Sequence, residues 1–321
     1  MSAMSPNPPG RRMRDVLLIA KSFNNLKRIH VESTHFVREN PSLHSRIWRS
    51  LDAFHTWYML KPWNLLSELH DLFPYMMARK EVDASYWLAD IGFYRHAIAA
   101  LRTTLELAVL AANFARDERA SRGFSSWVNG LNHPGAFKRD MLRPLFANPR
   151  FRRVGRELPL QQDIEELYGV LCKYAHSQGA PHSIPGLAHA SRVSTARYAL
   201  SASALKEYSK YLQQVTRAAV MLAFIRNPLG MQELPVYEKF PWDRVPPGML
   251  PPNVRDAARS VLVPREVRVL QTLSDNDLGV QWMVQQVRAL PDLSSNWNWH
   301  THFDTMTELF REYEERSLAA E

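Results

Sequence analysis

"SYWLADIGFYRHAIAALRTTLELAVLAANFARDE", residues 85–118, decides the fold. Apolar side chains recur at helical spacing around nearly the whole circumference. The segment therefore reads as one long helix, capped by Asp83 or Ser85 and surrounded by other helices. Four of its polar residues form a stripe: Arg95, Arg102, Glu106 and Asn113. At about 100° per residue, spacings of 7, 4 and 7 place all four along one line. Arg102 and Glu106 are i, i+4 neighbours that can pair directly. The stripe needs partners, because an unpaired buried charge costs several kcal/mol.

A second helix can supply them. It is expected over Leu160–Gln178 and ends in "LYGVLCKYAHSQG", residues 167–179. Its apolar face is Ile164, Leu167, Leu171 and Tyr174. Glu165, Cys172 and His176 share an adjacent face, and Tyr168 lies on the border. His176 falls in the last turn, where the helix dipole favours a cation. Gly179 offers a left-handed cap and Pro181 prevents continuation. Arg102, Glu106, Tyr168 and His176 thus form the candidate site, either a structural polar network or a catalytic or ligand-contacting one.

Helical periodicity runs through the rest of the chain, and no alternating strand pattern stands out. Helices are expected over about 13–39, 43–60 and 63–80, with Pro74 kinking or breaking the third. After the long helix, 123–158 is looser and 199–226 is again helical. Shorter helices follow near 264–274, 277–290 and 300–319. The organisation expected is all-α: a disordered start at 1–10, an N-terminal helical region at 11–82, a central bundle at 83–230, a proline-rich linker at 231–264 and a C-terminal helical segment at 265–321.

At 321 residues with 45% hydrophobic and 22% charged content, the chain has the composition of an ordinary globular protein. The single cysteine excludes an internal disulfide and a cysteine zinc site, and suits a reducing compartment. No secretory h-region or membrane span is visible, so a cytoplasmic location is expected. The net charge of +8 is concentrated in 138–156, where Lys138, Arg139, Arg143, Arg150, Arg152, Arg153 and Arg156 face Asp140 alone. Such an excess suggests an anionic partner, an RNA or another polyanion, or self-association, with a solvated face as the alternative.

The motifs "YRHAIAALRTTLEL" and "ELYGVLCKYAHS" together resemble HEPN-like helical proteins of prokaryotes, over about residues 83–227. The resemblance implies a HEPN-like bundle of four or five helices, commonly a homodimer, in a bacterial toxin, phage-defence or stress system. Several such proteins are metal-independent ribonucleases using an arginine and a histidine with four to six residues between them. His176 would be that histidine, but Gly169, Val170 and Leu171 stand where the arginine belongs. Arg102 could replace it from the neighbouring helix. RNA binding or action on RNA is the first functional expectation. A non-catalytic protein-interaction module and a small-molecule sensor using an Arg102/His176 pocket are the alternatives. No cofactor or metal is called for. His300, His302 and Asp304 in "HTHFD" read as a helix start, His182 and His189 lack close carboxylates, and Trp297 and Trp299 read as core contacts more readily than as base-stacking groups.

Overall fold

The computed structural model describes residues 9–60, 69–114, 127, 136–176, 178, 200–241, 245–246, 248–293 and 299–318. Among these every regular element is helical, as the periodicity requires. Helices α1 (Pro9–Glu39), α2 (Pro41–Trp57), α3 (Leu69–Asp90) and α4 (Tyr94–Phe114) come first. A π-helical turn, Phe137–Leu142, runs into α5 (Arg143–Ala147) and α6 (Pro149–Glu157). Then come α7 (Leu160–Ala175) and α8 (Ala202–Arg226). The remaining helices are α9 (Val236–Lys239), α10 (Pro252–Arg259), α11 (Pro264–Asp275), α12 (Leu278–Ala289) and α13 (Trp299–Leu318). Residues 1–8 of the expected disordered start lie outside the described residues.

The helix expected from 83 or 85 to 118 is in fact two. Gly92 has φ 87°, its N–H donates to Ala89 O (3.1 Å), and Phe93 N–H donates to Leu88 O (2.7 Å). That paired bonding is a Schellman cap, which reverses the chain and folds α4 back along α3. Conversely, the break expected near residues 80–85 is absent. No Gly or Pro occurs between 75 and 91, and Ala78, Val82 and Ala89 extend one buried face. Pro74 sits inside α3 near its start. The two expected capping residues serve tertiary contacts instead: Ser85 bonds to the Tyr208 hydroxyl (2.9 Å) and Asp83 to His55 (2.8 Å).

α4 and α8 lie at the centre. On α4, Leu101, Leu105 and Leu107 to Ala112 are all buried, and α3, α7 and α8 surround it. α8 is buried almost continuously from Val215 to Ile225. Its backbone is tied across the bundle where buried Trp57 donates from Nε1 to Ala219 O (2.9 Å). At its start, Tyr94 Oη accepts from Ser201 N–H (3.1 Å).

The proline-rich segment 231–264 is packed and partly helical, where an extended linker was expected. Leu234, Val236, Phe240 and Met249 are buried with Leu229, Met283, Met306 and Phe310 in a second core. Proline at the first helical position of α10 and α11 explains why its density is compatible with helix. The second core is joined to the first at Asp277. That carboxylate caps α12 by accepting from Val280 N–H (3.0 Å), accepts from Ser317 Oγ of α13 (2.6 Å), and pairs with Arg150 of α6 (2.8 Å). Two residues on, α12 approaches α13 so closely that a Cβ on Gly279 would lie 2.1 Å from Ser317 Oγ and 2.5 Å from the Tyr313 carbonyl. Gly279→Ala should therefore lower stability by about 1–3 kcal/mol or more, since backbone must move. Denaturant unfolding of purified protein checks this, and an unchanged midpoint would show that the α12–α13 contact is looser than described.

Candidate functional site

The polar stripe of α4 meets α7, which runs antiparallel to it. Arg95 donates to Tyr174 O (3.3 Å) near the C-terminal end of α7. Seven residues on, Arg102 Nη2 donates to Glu106 Oε1 (2.8 Å) and to Tyr168 Oη (3.1 Å). Tyr168 Oη in turn donates to the same Glu106 oxygen (2.7 Å), closing a triangle. Asn113 donates to Met141 O (2.7 Å), which fixes the π-helical turn against the far end of α4. Phe137 of that turn stacks on the Tyr168 ring (3.8 Å, 13°), while the Arg102 guanidinium lies 5.4 Å from its centroid.

The triangle ties up part of its own reactive capacity, while the buried Arg102 Nε has no hydrogen-bond partner among the described residues. Glu106 is neutralised by Arg102, and Arg102 spends Nη2 on both partners. Burial first, and then the bond to Glu106, raise the Tyr168 hydroxyl above the ordinary phenol range, so it stays protonated and is a poor base. Arg102 and Glu106 keep 28% and 26% side-chain exposure, so the cluster lies at a helix–helix edge. Cys172, a free thiol of intermediate exposure, follows one turn beyond Tyr168.

His176 does not join this cluster. It is the residue that ends α7, exposed, with its backbone N–H bonded to Cys172 O (2.9 Å) and no side-chain hydrogen bond among the described residues. It lies eight residues past Tyr168, about 12 Å along the helix at 1.5 Å per residue. The structure thus brings together Arg102, Glu106 and Tyr168 and leaves His176 apart.

The basic residues of 138–156 divide into two sets. Lys138 pairs with Glu165 (3.1 Å), and Arg139 pairs with Asp140 (2.7 Å). The Arg139 bond, with the Ala136 N–H, pulls the Asp140 carboxyl down to about 2. Arg150 is 11% exposed and committed to Asp277, which is 6% exposed. The other set faces water: α6 turns Phe151 and Val154 inward, leaving Arg152, Arg153 and Arg156 exposed, with Arg143 exposed on α5. None of these four has an acidic partner within bonding distance among the described residues. α11 packs beside α6 and adds Arg265, which donates to Glu157 O (2.6 Å), and exposed Arg268. No sequence signal links these two arginines to α6, because more than a hundred residues separate them. Phe137 was missed for the same kind of reason, since its stacking depends on tertiary placement.

No cluster of three or more metal-ligating side chains occurs among the described residues. His182, His189 and Trp297, and the side chains of Trp299, His300 and His302, lie outside them. No helix among the described residues is long and apolar enough to cross a membrane. No family model, curated protein or solved structure matches the chain.

Two substitutions separate the readings of the cluster. Tyr168→Phe removes one hydroxyl that serves two charged partners at a half-open edge, and should lower stability by about 1 kcal/mol. A double-mutant cycle with Glu106→Gln should show coupling, and strict additivity would mean that the triangle carries no shared energy. His176→Ala, by contrast, should leave the thermal midpoint unchanged, within about 0.5 kcal/mol, as for other exposed positions. A clear drop would reveal a partner for the imidazole.

Proposed function

We propose that this chain is a helical RNA-binding protein that engages phosphates through the arginine face of α6 and α11 and does not depend on the Arg102 cluster for cleavage. The observation that carries this reading is the exposed row Arg152, Arg153 and Arg156, none of them in an ion pair among the described residues, joined by Arg265 and Arg268. Guanidiniums without a carboxylate partner on a rigid element are suited to phosphate oxygens, and their binding releases counterions. The resemblance to HEPN-like proteins supports RNA as the polyanion and a bacterial defence or stress setting, with a homodimer as the working unit. A lone free cysteine suits the cytoplasm.

The experiment is retention of a labelled RNA across a salt series. Arg152→Ala, Arg153→Ala and Arg156→Ala together should weaken binding at low salt and flatten the salt dependence. The slope of log affinity against log salt should fall by about 0.7–0.9 for each phosphate that is no longer neutralised. Arg150→Ala is the informative contrast. It strands the buried Asp277 carboxylate and should lower stability by about 3–5 kcal/mol. Unchanged retention in the folded triple variant would reject the reading.

A further inference from the structure

A groove of about 310 Å³ runs between α7 and α8. The two helices are antiparallel there, since Tyr174 near the end of α7 bonds to Glu207 and packs on Tyr211 near the start of α8. The groove follows α7 from Leu160 to Val170 and α8 from Lys210 to Met221. At 1.5 Å per residue that is about 15 Å of trough. Ile164, Leu167 and Met221 form an apolar floor, and half-buried Val170 and Tyr211 stand on the walls.

The two rims carry opposite charge. On α7, Asp163 and Glu166 line the groove at i, i+3, and Glu166 accepts a bond from Gln162 of its own helix. On α8 the rim is Lys210, Gln214 and Arg217 at i, i+4 and i+7. Arg217 is held by the buried Glu266 carboxylate (2.7 Å), which closes one end. Asp163 and Lys210 are exposed and have no ion-pair partner among the described residues.

We propose that this groove docks one amphipathic helix, about three turns long, from a partner protein. The partner's apolar stripe would cover Val170 and Tyr211, with a basic flank along α7 and an acidic flank along α8. A helix fits where an extended peptide does not. α7 and α8 offer no free backbone edge, so an extended chain would lie on an apolar floor with its own N–H and C=O groups unpaired. The charge asymmetry of the rims also sets direction, because reversing the helix end for end exchanges its flanks. This inference uses none of the α6 arginines and stands independently of RNA binding.

Two labelled probe peptides test it on the full chain by fluorescence anisotropy. Both are helix-stabilised and share one leucine stripe. One carries Lys on one flank and Glu on the other, and the second carries Glu on both. The wild-type protein should bind the mixed peptide about tenfold or more tightly than the acidic one. Asp163→Lys with Glu166→Lys makes both rims basic at exposed positions and should reverse that order, with only a small downward shift of the melt because Asp163 lies in the first turn of α7. The reversal is the supporting result. Failure of both peptides to bind wild-type protein up to about 1 mM, or the same preference in both proteins, overturns the proposal.

Discussion

A helix that is apolar on almost every side must be surrounded, and its few polar residues then dictate what surrounds it. α4 is that helix. Arg102 can enter the α4–α7 edge only because Glu106 and Tyr168 meet it there, within 2.8 and 3.1 Å. Arg95 and Asn113, above and below on the same line, find the Tyr174 and Met141 carbonyls. Those partners belong to α7 and to the π-helical turn, so one stripe positions both elements. α7, thus placed antiparallel to α4, defines one wall of the α7–α8 groove.

The same logic operates at Asp277. One carboxylate caps α12, receives the Ser317 hydroxyl and accepts Arg150, so three helices converge on two oxygens. Removing Arg150 would leave a buried charge, whereas removing Arg153, exposed one turn further along the same helix, would strand no carboxylate. A nine-residue helix therefore serves two purposes that its sequence, "PRFRRVGRE", does not separate.

What was legible in the sequence followed periodicity. The all-α class, the central position of α4, the collinearity of Arg95, Arg102, Glu106 and Asn113, and the approach of Tyr168 all derive from 3.6-residue spacing. What was not legible depended on local backbone geometry or on distant partners. Gly92 looked tolerable within a helix because nothing in the flanking composition marks a left-handed cap. Asp83 and Ser85 looked like caps because the chemistry that caps a helix also pairs with His55 and Tyr208. The prolines at 231–264 suggested a linker, yet proline at a first helical position is compatible with short packed helices. His176 was expected beside Tyr168 because both belong to one helix. Eight residues carry it two turns away, beyond the reach of that cluster.

The chemistry of the two basic features differs in a way that bears on function. In the Arg102 cluster the guanidinium Nη2, one Glu106 oxygen and the Tyr168 hydroxyl are bonded to one another, so recruiting that oxygen or that hydroxyl for catalysis would require breaking two charge-assisted bonds. The arginines of α6 and α11 that face water hold no carboxylate, and placing a phosphate beside them requires no ion pair to be broken. The aromatic residues of α6 and its neighbour α5, Phe151 and Phe146, are buried, and the exposed tryptophans Trp48 and Trp87 belong to α2 and α3. Among the described residues the arginine face therefore offers charge without a stacking platform. On the RNA-binding reading its contacts fall on the phosphodiester backbone, which carries no base identity, so affinity should follow chain charge and salt more than sequence.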